Sequence, residues 1–179
     1  MKRLVHALTL LILLTFFTSP VYAIQSIGEI HVNTTRVKTE KELVKTATLI
    51  VHAVPIQTSR AYVKKGREVN YVQTLQVKDV LKGTLPHPTI QIVQPGLIPP
   101  PKKDDPLLKI YPGPLFKHDY VFFLKPIVGT TYYSLVGIWQ GVYPLDSNGR
   151  TIALEEGFRV FDHLTIAQMK KKIREIGES

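Results

Sequence analysis

The side chains that could carry acid–base, nucleophilic or metal chemistry are few and scattered in this sequence. After the first apolar stretch the histidines are His31, His52, His87, His118 and His163, none two or four residues from another, and there is no cysteine. A local zinc motif needs such spacings or a thiolate, so neither a metal nor any other cofactor is expected. His52 sits in an apolar run and reads as a packed or rim side chain. Adjacent carboxylates occur at Asp104-Asp105 and Glu155-Glu156. Folding could bring such groups together as general acid and base, but neighbours on a loop usually point apart and solvate it. Ser134 lies between Tyr133 and Leu135, with no Gly-x-Ser-x-Gly elbow and no adjacent base to activate a hydroxyl. A glycine-rich phosphate cradle is also missing. Asn33-Thr34-Thr35 matches a glycosylation sequon, which has meaning only in a eukaryotic secretory pathway. No catalytic residue is assigned.

Side chains suited to binding are better represented. Tyr132, Tyr133, Trp139 and Tyr143 cluster late in the chain. Aromatics beside basic groups on a barrel surface can stack bases or sugars; core packing and edge protection is the simpler account of them. The formal net charge is +9, with small basic clusters at Lys64-Lys65, Lys102-Lys103 and Lys170-Lys171-Lys172. Charge of that sign bears on partners and solubility rather than on fold.

The elements that must position these groups follow from periodicity and punctuation. Thr39 with Glu42 is a capping box opening a short helix through Leu43, Val44 and Ala47. Residues 49–54 read as a strand stopped at Pro55. Residues 69–81 are the longest strand candidate. Tyr71, Leu75 and Val77 share a face, then the phase slips, which a β-bulge near Lys78-Asp79 explains. Residues 89–93 form a strand bounded by Pro88 and Pro95, and residues 27–32 a short first strand. Residues 95–119 hold seven prolines and exclude a central strand; a connection of that length is usually functional or disordered. Tyr120-Val121-Phe122-Phe123-Leu124 is apolar on both faces and belongs mid-sheet. Gly129 marks a turn into residues 132–136. Residues 141–145, with Pro144 suggesting an edge, pair through Asn148-Gly149 with residues 151–154. Thr165 with Gln168 caps a final helix, residues 165–176, whose apolar stripe is Ile166, Met169, Ile173 and Ile176. Its lysines and Arg174 suit the negative end of the helix dipole. Leu75, Val77, Ile90, Ile92, Val121 and Phe123 are expected to line the core.

The first residues set the compartment. Lys2 and Arg3 precede an apolar stretch over residues 4–17, Pro20 breaks it, and Val21-Tyr22-Ala23 offers a cleavage site. Residues 1–23 read as a signal peptide cut after Ala23; retention as an anchor is the competing reading, although the stretch falls short of the ~20 residues a span needs. Cleavage leaves residues 24–179 as one domain with a charge of about +7. Without cysteine, that domain is held by burial and hydrogen bonding alone, which favours a compact closed sheet.

The order of these segments resembles a known group. A short helix and the 49–54 strand precede Val77-x-x-Val80-Leu81-Lys82-Gly83, Ile90-x-Ile92, Tyr120-Val121-Phe122-Phe123-Leu124, Tyr133-x-Leu135-Val136-Gly137 and Gln140-Gly141-Val142-Tyr143. Over residues 48–154 this resembles small exported bacterial domains related to the netrin-like module, the module of the tissue inhibitors of metalloproteinases. The resemblance implies a five-stranded barrel of the OB type with a flanking helix. It does not imply protease inhibition by metal chelation, because the inhibitors' N-terminal cysteine and disulfides have no counterpart here.

The expectation is therefore a mainly β protein, a five- to seven-stranded OB-like barrel with a short N-terminal helix and a C-terminal amphipathic helix. Its expected role is that of an exported, non-enzymatic binding or protein-interaction module of the cell envelope or extracellular space. Its partner is an unknown protein or an anionic envelope polymer rather than nucleic acid. Membrane contact is expected only through the leader, and the domain is expected to be a monomer. The alternative is a hydrolase of envelope polymers using paired carboxylates. Lys102, Lys103, Tyr111, Trp139 and Tyr143 are the candidate partner-binding residues. The 95–119 connection, with Leu97, Ile98, Leu107, Leu108, Ile110 and Tyr111 beside its lysines, is expected to pack partly on the barrel and offer the contact surface.

Overall fold

A computed structural model describes residues 32, 35–59, 63–85, 87–99, 101, 102, 105–111 and 113–178. The expected leader and cleavage site and all of the expected 27–32 strand except Val32 lie outside these residues. Among the described residues no helix is long and apolar enough to cross a membrane.

Seven strands form one sheet: β1 (Leu49–Ser59), β2 (Val63–Lys65), β3 (Glu68–Lys82), β4 (Thr89–Leu97), β5 (Tyr120–Pro126), β6 (Tyr133–Leu135) and β7 (Val142–Pro144). Pairing runs β1–β3–β4–β6–β5, and β5 pairs with β1 again, closing a five-stranded barrel of OB-like order. Among the named strand pairs β4–β6 is parallel and the others are antiparallel. β2 extends β3 as a hairpin and β7 adds to β5. Closure needs strong coiling, and β3 supplies it with two bulges against β1. Ile50 faces Lys82 while Val51 faces Val80, and His52 faces Asp79 while Ala53 faces Val77, so Leu81 and Lys78 are the extra residues. The second is the slip expected near Lys78-Asp79.

Inside the barrel, Val51, Leu75, Ile92, Phe122, Leu124 and Leu135 meet in one cluster. Val77 is only partly buried against it. A second core lies outside the wall, where Ile50, Val121, Phe123 and Tyr143 pack under α1 (Glu40–Thr46) and α2 (Ile166–Glu178) through Leu43, Met169 and Ile173. Val121 and Phe123 are thus core residues as expected, but of the outer layer. Because β5 is apolar on both faces, periodicity could not assign the phase.

Two strand ends also differ from expectation. β1 continues through Pro55 and β4 through Pro95. Pairing of β1 with β5 ends at Ala53 and that of β4 with β6 at Val93, so each proline lies where its strand has one named strand neighbour and a missing N–H is tolerated. β7, bearing Pro144, pairs with β5 alone. The expected hairpin after it is a tight turn closed by one bridge, Leu145 to Thr151. Both helix caps form: Thr39 Oγ1 accepts from Glu42 N–H at 3.1 Å, and Thr165 and Gln168 bond reciprocally at 2.9 and 3.3 Å.

Candidate functional site

The connection from β4 to β5 is fixed to the barrel by side chains that imitate main chain. Gln73 of β3 is fully buried. Its Oε1 accepts from Leu115 N–H at 2.8 Å, while its Nε2 donates to Leu115 C=O at 2.8 Å and to Thr58 Oγ1 at 2.9 Å. Gln94 Nε2 also donates to Gln73 Oε1, at 3.0 Å. The grip seats Leu115 in the inner core. Upstream, Gly113 N–H reaches Pro95 C=O at 3.2 Å; a Cβ on Gly113 would come within 3.0 Å of Gln94 Cβ. Gln140 grips the N-terminal lead-in the same way, accepting from Val37 N–H at 2.8 Å and donating to Val37 C=O at 3.0 Å.

Between Leu97 and Leu115, both buried, the connection presents apolar side chains outward. Leu107 is 37 % and Ile110 45 % exposed, on and beside a 3-10 turn, Pro106–Lys109, capped by Asp105 at 2.9 Å; Phe116 is 86 % exposed. Lys102 and Lys117 are exposed along the same segment. Ile98 packs on Val69 and Tyr71. Tyr111 is half-buried and donates its hydroxyl to Glu68 Oε1 at 2.9 Å. Burial, then the hydrogen bond and charge of Glu68, push its phenol up from the usual value.

The remaining candidate residues are Lys103, Trp139 and Tyr143. Lys103 and Asp104 lie outside the described residues, and of Leu108 only the backbone is described. Trp139 is half-buried against the inner core, from a 3-10 turn at Ile138–Gly141. Tyr143 is 0 % exposed, packs on Phe123 and Phe161, and accepts from Phe158 N–H at 2.9 Å. Burial pushes its phenol far up. Its ring therefore serves packing and is not exposed to a partner.

A second polar constellation was not assembled from the sequence. His52 Nε2 lies 2.7 Å from Asp119 Oδ1 and its Nδ1 3.1 Å from Asp79 Oδ2; Lys78 Nζ donates to the same Asp119 oxygen at 2.6 Å. Pairing dictates this. His52 faces Asp79 directly across β3, and faces Val121 across β5, so Asp119 is the diagonal neighbour on that face. Burial raises the Asp119 carboxyl, but the hydrogen bonds and charges of Lys78 and His52 outweigh it and hold the group below the usual carboxylate range. The carboxylates occupy opposite ring nitrogens and do not converge on one point. Among the described residues no group of three His, Asp or Glu side chains is placed to hold a metal ion.

The adjacent carboxylates are occupied separately. Asp105 caps its turn, Glu155 pairs with Lys109 at 3.3 Å, and Glu156 pairs with Arg36. Comparison with protein-family models, curated proteins and solved structures gives no match for this chain.

Proposed function

We propose that the chain is exported, is cut after Ala23, and works outside the cytoplasmic membrane as a non-enzymatic protein-interaction module. The observation that carries this reading is the anchored 98–119 connection. Side chains hold its ends while Leu107, Ile110 and Phe116 stand exposed near Lys102 and Lys117 along the chain. Exposed apolar groups on a tethered segment lose little conformational entropy on docking, and such groups rimmed by cations suit a protein partner with an apolar patch and acidic edges. Within this reading the barrel is placed beside the netrin-like domains. The closed strand order supports likeness of architecture, and the segments quoted above support likeness of sequence. The chelating cysteine of the metalloproteinase inhibitors has no counterpart, so their mode of inhibition is not part of the proposal.

Two measurements test it. N-terminal sequencing of the protein outside the cell should begin at Ile24, and a start at Met1 overturns the export step. Covalent capture at the native cell surface should recover a partner with the intact chain and lose it with the combined Leu107→Ser, Ile110→Ser and Phe116→Ser variant. Recovery of the same partner by a folded variant overturns the role of the connection.

A further inference from the structure

The groove between the two helices is lined by residues that the loop surface does not use. It runs along α2 against α1 and the end of β3, encloses about 410 Å³, and is lined by Val44, Leu81, Lys82, Lys170, Ile173, Arg174, Gly177 and Glu178. Its floor is apolar: Val44, Leu81 and Ile173 are all buried. Its rim carries three cations and one acid.

Two of these three cations make no ion pair among the described residues. On α2, Glu175 takes Lys172 at 3.1 Å and Lys171 at 3.9 Å. Lys170 and Arg174 have no carboxylate partner among the described residues, and their i, i+4 spacing places them side by side on the helix flank. Lys82 Nζ donates to Val44 C=O at 2.6 Å, in the last turn of α1, and to the C=O of Ala47, its C-cap, at 2.7 Å. An ammonium has three donors, so one N–H remains for an acceptor in the groove. Burial lowers the Lys82 pKa, the mark of a cation short of solvation. Glu178 lies one turn along α2 from Arg174 and two turns from Lys170, so the positive charge of the rim is greatest toward Lys170. Gly177 lines the far end, where an added Cβ would lie in contact with Val44 Cγ1 at 3.7 Å.

We propose that this groove binds one single-chain anionic amphiphile as a monomer, its headgroup on Lys170, Arg174 and Lys82 and its alkyl chain over Val44, Leu81 and Ile173. Helix-dipole complementarity accounts for lysines near the end of α2, but not for an apolar trough beside the two that lack partners. The site is independent of the 98–119 connection and stands or falls without it.

The test is calorimetric titration of the purified chain with dodecyl phosphate below its micelle concentration. Dodecyl maltoside, inorganic phosphate and phosphatidylglycerol vesicles serve as comparison probes. Saturable one-to-one binding of dodecyl phosphate is expected, at least about tenfold tighter than either the neutral amphiphile or phosphate. The paired Lys170→Gln and Arg174→Gln variant should weaken it about tenfold or more. Gly177→Ala, whose added Cβ enters the far end at contact distance from Val44 Cγ1, should weaken it while leaving the circular dichroism and thermal transition intact. Equal binding of the maltoside shows that charge is not read, and equal binding of phosphate that the chain is not read; either overturns the proposal. So do binding to vesicles without binding to monomers, non-saturable uptake, and wild-type affinity in both variants.

Discussion

Gln73 holds the main chain of Leu115 by both its N–H and its C=O, each at 2.8 Å, as a neighbouring strand would. Gln73→Ala leaves those two groups, and the amide of Gln94, buried without their partner. Each unmade bond of this kind costs about 1–3 kcal/mol, so a loss of at least about 2 kcal/mol is expected by denaturant unfolding. Gln73→Glu keeps the acceptor but loses the donor to Leu115 C=O and Thr58, and should recover only part of that loss. Wild-type stability for Gln73→Ala would show that Leu115 is held by other means.

Acid should loosen the His52 cluster. The Asp119 carboxyl is held below its usual range in the folded state. Its contribution is therefore present above the unfolded value and is lost as pH falls through the folded one, below about pH 4. Asp119→Asn removes that contribution at neutral pH and has nothing left to lose in acid. The difference in Tm between wild type and Asp119→Asn should hold from pH 7 to about pH 5 and narrow from there to pH 3. A difference that stays constant across that range counts against the linkage.

Phe123 fills the outer layer between Tyr143, at 5.7 Å between ring centroids, and Phe161, at 5.4 Å. Phe123→Ala should cost about 3–5 kcal/mol, because the helices above can close the cavity only in part. A change under about 1 kcal/mol in equilibrium unfolding would contradict the packing described.

Tyr71 lies over Gly96. A Cβ at Gly96 would fall 2.3 Å from Tyr71 Cε2, and the Tyr71 hydroxyl donates to Leu97 C=O at 3.2 Å. Gly96→Ala must displace the ring and should cost about 1–3 kcal/mol. Combining it with Tyr71→Ala should cost less than the sum of the two single changes, measured as a double-mutant cycle. Strict additivity would separate the two residues.

What could be read from the sequence was local. Thr39 with Glu42 and Thr165 with Gln168 announce helix starts because each cap is complete within four residues. The bulge at Lys78 was visible as a broken alternation. Pro55 and Pro95 misled, because whether a proline ends a strand depends on which side has a neighbour, and that neighbour is distant in sequence. Val121 and Phe123 were known to be buried but not on which side of the wall. The clamps and the His52 cluster join residues 42, 103 and 67 positions apart, and glutamine, histidine and aspartate carry no periodic signal. Only the closed pairing order brings them together.

The Gln73 grip also gives the barrel an expansion joint. Strand register is checked at every residue, whereas the connection is held at separate points, Ile98, Tyr111, Gly113 and Leu115, with Leu97 fixed at its start by β4. Chain added between them lengthens an external span, at an entropic penalty that grows only with the logarithm of its length. An epitope or binding peptide spliced into residues 105–110 is thus displayed on the outside while β4 and β5 stay in step, so this stretch can be remodelled without redesigning the domain.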